Sequence, residues 1–116
     1  MTDDPAPEIG IDDFLKVDVR VGTVTDVADF PEARRAAYKL WIDFGPLGTR
    51  KTSAQVTAHY SREDLLGRQV AAVVNFPAKQ IAKFRSECLV LGFPDAHGDV
   101  VLIAPERPVP NGGRLY

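Results

Sequence analysis

Apolar and polar positions alternate with a period of two over several short runs, the signature of half-buried β-strands. In the first run Val17, Val19 and Val21 share one face, and Lys16, Asp18 and Arg20 share the other. After Gly22 the valines recur at Val24 and Val27, so the phase shifts. A glycine inside a strand marks a bulge or bend, and a bent first strand lets a small barrel turn its corner. Phe30-Pro31 ends this run. Next, Tyr38, Leu40, Ile42 and Phe44 alternate with Lys39, Trp41 and Asp43, the clearest strand in the chain. Gly45-Pro46-Leu47-Gly48 is a turn, and residues 49–56 return as a third strand. Residues 69–75, 88–93 and 100–104 give three more apolar strand candidates, the last two separated by a turn over residues 94–99.

Two short helical turns are expected. Asp12-Asp13-Phe14-Leu15 has an aspartate placed to cap one. Ser61-Arg62-Glu63-Asp64 has a serine with an acid three residues on, a capping-box spacing, followed by Leu65-Leu66 to bury and Gly67 to stop the turn. The pattern predicts a small all-β barrel with one short helix between its third and fourth strands. Residues 1–12 (acids, two prolines, a glycine) form a flexible lead-in, and residues 13–116 one folded domain. The tail PERPVPNGGRLY is extended.

Between the strand candidates at 69–75 and 88–93 lies a basic segment. It carries Lys79, Lys83 and Arg85, with Asn75, Gln80 and Ser86 and no acid before Glu87. Pro77 blocks continuation of the preceding strand. The segment reads as a loop held at both ends by buried strands, an arrangement suited to presenting binding residues. Net charge is −2, yet the chain is segregated. Residues 1–18 hold six acids and one lysine, net −5, whereas residues 31–85 hold ten Lys/Arg and four acids, net +6. A basic centre can hold phosphate in an acidic protein, because salt screens charges beyond ~10 Å. Lys79, Lys83, Arg85, Asn75 and Ser86, with Arg34 and Arg35 of the connector after Pro31, supply the residue types of an RNA site. Trp41 lies on the nominally outward face of its strand; it can stack a base, make a dimer contact or pack under a loop.

Several classes of chemistry are not expected. No Ser/His/acid grouping, nucleophile elbow or phosphate-cradling glycine loop is present, so the chain reads as non-enzymatic and without cofactor. His59 stands alone and His97 sits in a polar turn, so no metal site is expected. The single cysteine, Cys88, reads as a small buried hydrophobe. Leu89, flanked by Cys88 and Val90-Leu91, reads as a buried strand residue that makes no RNA contact. With no apolar leader and no membrane-length window, a cytoplasmic setting without membrane insertion is expected.

The basic segment NFPAKQIAKFRSECLVLG (Asn75–Gly92) resembles the corresponding part of the CsaA family. Further matching pieces are DFLKVDVRVG (Asp13–Gly22), FPEARRAAYKLWIDFG (Phe30–Gly45), TSAQVT (Thr52–Thr57) and VPNG (Val109–Gly112). The resemblance runs from about Phe14 to Tyr116. These proteins are relatives of the tRNA-binding domain of methionyl-tRNA synthetases and are described as protein-secretion chaperones. The resemblance implies an OB-fold five-stranded barrel with N- and C-terminal extensions, tRNA as a partner, unfolded or preprotein polypeptides as clients, and a homodimer. The alternative is an RNA-binding module with no chaperone role. Asn75 and Ser86 fall on the family's loop-opening Asn and loop-closing Ser. In the synthetase-linked branch a Met follows that Ser by three residues; here Leu89 stands there. Ala78 replaces a proline common in CsaA proteins. A chaperone needs an exposed apolar groove, for which Phe76, Ile81, Phe84 and Phe93 are the candidates.

Overall fold

The computed structural model describes residues 3–116; the first two residues of the expected lead-in lie outside the described residues. Five strands form one antiparallel sheet that curls into a nearly closed barrel. They are β1 (Val19–Asp29), β2 (Tyr38–Asp43), β3 (Thr49–Ala54), β4 (Gln69–Val73) and β7 (Leu89–Val90), in the spatial order β3-β2-β1-β4-β7. Two hairpins complete the chain: β5 (Lys79–Ile81) with β6 (Phe84–Ser86), and β8 (Gly92–Pro94) with β9 (Val100–Leu102). The all-β barrel, its short helices and its flanking extensions agree with the expected OB fold. No described helix is long and apolar enough to cross a membrane.

Val24, Leu40, Ile42, Phe44, Leu65 and Val70 fill the interior, all with no exposed surface. The alternating run at 38–44 supplies three of them, because successive strand side chains point to opposite faces. The bend of β1 falls further along the strand than Gly22 suggests. Register slips between Val24 and Asp26, so the bulge is at Thr25. Gly22 has a different task. A Cβ there would lie 2.6 Å from Ile42 Cγ2 and 2.9 Å from the Asp43 carbonyl oxygen, so glycine permits the close crossing of β1 over β2. The valine face of β1 looks outward: Val19 and Val21 line a hollow outside the barrel with Ala71, Ile103 and the tail.

The tail is tied down by backbone. Gly112 N–H donates to Val21 C=O (2.8 Å), Val21 N–H to Gly113 C=O (3.1 Å) and Leu115 N–H to Val19 C=O (2.9 Å). It thus occupies the edge of β1 that β2, pairing only from Thr23 onward, leaves open. Gly112 has φ +91, and a Cβ on it would come within 2.5 Å of the Phe44 carbonyl oxygen. Asn111 Oδ1 accepts from Thr23 Oγ1 and from Gln69 Nε2, which fixes the strap at its start.

The helix α2 (Arg62–Leu65) carries the expected capping box: Ser61 Oγ accepts from Asp64 N–H and Asp64 Oδ2 from Ser61 N–H. Leu65 is fully buried, but Leu66 is exposed, because the chain turns extended there. The first helix, α1 (Ile11–Leu15), starts after Gly10 with no side-chain cap, so Asp12 lies inside it rather than at its cap.

A candidate nucleic-acid interface beside an apolar cavity

The basic segment is no simple loop. Its middle folds into the β5–β6 hairpin, with Lys79 opposite Ser86, Gln80 opposite Arg85 and Ile81 opposite Phe84. The turn runs through Ala82, at φ 53, and Lys83. By strand alternation Lys79, Ile81, Phe84 and Ser86 share one face, and Gln80 and Arg85 the other. The first face lies against β3.

Two of the predicted RNA contacts are parts of the frame. Asn75 Oδ1 accepts from Asp18 N–H (2.9 Å) and Asn75 Nδ2 donates to Lys16 C=O (2.7 Å), which clips the segment to the entry of β1. Ser86 is 9% exposed. Its hydroxyl accepts from Ser53 N–H (3.3 Å) and meets Thr52 Oγ1 (2.7 Å), which in turn donates to Cys88 C=O (2.7 Å). Alongside, Glu87 N–H donates to Lys51 C=O and Lys51 N–H to Glu87 Oε1. These bonds close the barrel between β3 and the chain leading into β7. Both residues hold the segment in place, Ser86 buried and Asn75 exposed.

The cations are exposed, and the structure joins their loops. Phe84, 8% exposed, meets Phe30 edge-on (centroids 5.5 Å) and Trp41 edge-on (6.1 Å). Phe30 opens the β1–β2 connector that holds Arg34 and Arg35; Phe84 sits between Lys83 and Arg85. The two basic loops therefore meet over the outer face of β2 and β3. Two cations unmarked by sequence reasoning lie between them: Lys39 Nζ is 5.4 Å and Lys51 Nζ 5.2 Å from the Phe84 ring centre. Lys39 also reaches Glu32 (4.0 Å). The available signal was that Lys39 and Trp41 alternate onto one strand face, with Lys51 directly opposite Trp41 on β3. Of the three uses open to Trp41, packing under a loop is the one seen.

Along the same face, beside Phe84, the hairpin roofs a cavity of about 440 Å³. Phe76, Ile81, Val56, Leu89, Val90 and Val100 line it, and Lys79 is the one charged group on its wall. Among the four predicted peptide contacts, Phe76 and Ile81 are here. Phe84 is sealed in the aromatic cluster instead, and Phe93, 66% exposed, stands on β8 away from the cavity wall. The expectation that Leu89 is buried fails: it is 49% exposed and faces the cavity. Strand β7 is two residues long, and an apolar run alone does not say which of its members point inward. Cys88 is the inward one, 9% exposed, and burial pushes its thiol up to about 11. Arg85 borders a second, polar hollow with Arg50, Glu87 and Phe76.

His59 is not alone either. Its Nε2 lies 2.6 Å from Asp95 Oδ2, and Asp99 brings a third donor atom within 4.8 Å. The His59 hydrogen bond, with N–H groups of His97 and Asp99, holds the Asp95 carboxyl below its usual range. This group clips the β8–β9 turn to the loop before α2.

A family model described as a putative tRNA binding domain matches residues 19–114. The chain belongs to that family, in its CsaA branch. It is 51% identical to chaperone CsaA of Bacillus anthracis, covering 95% of this chain and all of that one, with a TM-score of 0.88. It is 45% identical to the CsaA chaperone protein of Picrophilus torridus, covering 94% of this chain and all of that one, with a TM-score of 0.87. It is 36% identical over 110 residues to a methionine–tRNA ligase of Porphyromonas gingivalis. That match takes 95% of this chain but 16% of the ligase.

Proposed function

We propose that the protein is a binding protein, not an enzyme, and that it grips tRNA across the outer face of β2 and β3. The observation that carries this is the Phe30–Phe84 contact, which joins the connector that holds Arg34 and Arg35 to the hairpin that holds Lys83 and Arg85, with Lys39 and Lys51 against Phe84. The face of the second and third strands and its two flanking loops is where OB folds hold oligonucleotides. Cations on separate strands fit the spaced phosphates of an RNA backbone, and a cytoplasmic setting puts the protein with tRNA. The test is binding of bulk tRNA across a salt series by the parent and by a K39Q/K51Q variant. Each lost phosphate contact should lower the slope of log affinity against log salt by about 0.7–0.9. An unchanged slope would place the RNA elsewhere.

A second reading, polypeptide capture of the chaperone kind, is favoured by the cavity beneath the hairpin, whose wall is apolar apart from Lys79 and a few hydroxyl and amide groups. Unfolded or export-destined chains are the clients this predicts. The two readings use different strands of one hairpin, Phe84 and its neighbours for RNA and Lys79 with Ile81 for the polypeptide, so a single molecule can hold both ligands. Binding of reduced, unfolded protein with a negative heat capacity and weak salt dependence tests it; strong salt dependence overturns it.

We also infer a homodimer. The hollow outside β1 is walled by Val19, Val21, Ala71 and Ile103, and Val109, Leu115 and Tyr116 remain exposed at its border. Arg114 donates to Leu15 C=O, so the exposed Phe14 and Leu15 of α1 adjoin the same region. A two-fold contact would cover these groups and place two basic faces on one particle. Sedimentation at the mass of one chain at micromolar concentration would exclude it.

A further inference from the structure

We propose that the cavity takes its polypeptide as an added β-strand, hydrogen-bonded to the outer edge of the chain just past the end of β3, at Gln55. This rests on the polypeptide reading above and specifies its mode. In an antiparallel ladder, every second residue turns its N–H and C=O away from the partner strand. Lys51 does so, and both its groups are taken by Glu87. Ser53 follows, and its N–H meets only the Ser86 hydroxyl, at 3.3 Å. Gln55 is next in phase. No group among the described residues bonds its N–H or its C=O. Gln55 is exposed, and it forms part of the cavity wall beside Val56. The edge of β3 is therefore satisfied by this chain up to Ser53 and bare where the cavity opens.

The chemistry of that edge selects its occupant. One donor and one acceptor, at strand spacing beside an apolar pocket, match an extended peptide backbone. An RNA phosphodiester offers acceptors only, so RNA would have to bring a 2′-hydroxyl or base N–H to the Gln55 carbonyl, whereas a peptide unit presents both groups at strand spacing. Alternate side chains of the added strand would enter the cavity, against Ile81, Leu89 and Val100. Lys79, as its one charged wall residue, disfavours a basic side chain there and accepts an acidic neighbour. Proline cannot stand opposite Gln55, because it has no N–H to give.

The probe is a short acetylated, amidated peptide alternating leucine and serine. It is compared with two N-methylated forms, one methylated at every leucine and the other at every serine, titrated onto the full-length protein. In a strand, side-chain direction and N–H direction alternate together, so a slip of register by two residues does not blur the result. One form should lose about tenfold or more in affinity and the other little. Equal effects of both would overturn the strand mode while leaving polypeptide binding intact. A parent peptide that does not bind at all would remove both. Displacement of the parent peptide, one for one, by a short oligoribonucleotide would assign the cavity to RNA instead. Gln55→Pro should reproduce the loss with an unchanged far-ultraviolet circular-dichroism spectrum; if that variant fails to fold, the peptide series alone decides.

Discussion

Two neighbours on one face of the β5–β6 hairpin have opposite surroundings. Phe84 is enclosed by Phe30, Trp41 and the ammonium groups of Lys39 and Lys51. Ile81, its cross-strand partner, looks into an open cavity with Leu89. Through Phe84 one strand of the hairpin is a latch; through Ile81 the other is a roof. The difference teaches that a hydrophobic residue in a binding segment can serve by being buried, since it fixes where the cations around it stand. Removing the latch should move the charged groups without changing any charge; altering the roof should do neither.

The largest expected effect is therefore at the latch. Phe84→Ala should cost about 3–5 kcal/mol by denaturant unfolding and weaken tRNA binding as well. Loss of stability with tRNA affinity unchanged in the folded fraction would show that the latch does not position the cations. Charge reversal comes next. Lys79, Lys83 and Arg85 changed together to Glu should lower tRNA affinity by about a hundredfold or more at moderate salt, with the unfolding midpoint nearly unmoved. If the triple variant binds as the parent does, the hairpin is outside the RNA site.

At the roof the effects are smaller. Leu89→Ala should lower stability by about 1 kcal/mol or less, because a half-exposed leucine gives up little burial, and should weaken polypeptide binding while sparing tRNA. A loss of several kcal/mol would mean that Leu89 is core after all. Beneath it, Cys88 predicts a pH signature. Its thiol ionises near 9.0 when unconstrained and about 11 in the fold, so over that window the unfolded chain sheds the proton first. Stability should fall as pH rises from about 9 to about 11 and level off above. Comparison with Cys88→Ala isolates the effect from lysine titration, and identical slopes would refute it. The smallest effect is at the hairpin tip. Ala82 has a positive φ, which costs an L-residue about 1 kcal/mol, nearly offset in Ala82→Gly by added chain entropy. That variant should be within about 0.5 kcal/mol of the parent.

Much of the barrel was legible because long alternating runs leave few choices. Tyr38–Phe44 states its own two faces, and Ser61 with Asp64 states its helix start. The latch and roof were harder to read. Strands of two or three residues, such as β5, β6 and β7, are too short for a period of two to show. Their orientation comes from tertiary contacts, which is why Leu89 and Phe84 exchanged expected places. The valine face of β1 was read correctly as a face, but its side depends on where the tail lies, some ninety residues away. Asn75 and Ser86 could be singled out as polar, yet a polar side chain in a loop serves a ligand or the backbone with equal ease. Their backbone role shows only through Asp18, Lys16 and Thr52, all remote in sequence. The cations Lys39 and Lys51 looked like the solvated side of a strand until Phe84 was set between them.

The strap formed by residues 112–115 has a consequence for the order in which the molecule is made. It is synthesised some ninety residues after the strand whose edge it covers. Until it arrives, Val19 and Val21 present unpaired backbone groups and an uncovered apolar surface together. An emerging chain is therefore at its most adhesive just before the strap is made, when the barrel strands are available but their seal is not. The protein that we propose shelters other unfinished chains passes through that same exposed state during its own synthesis.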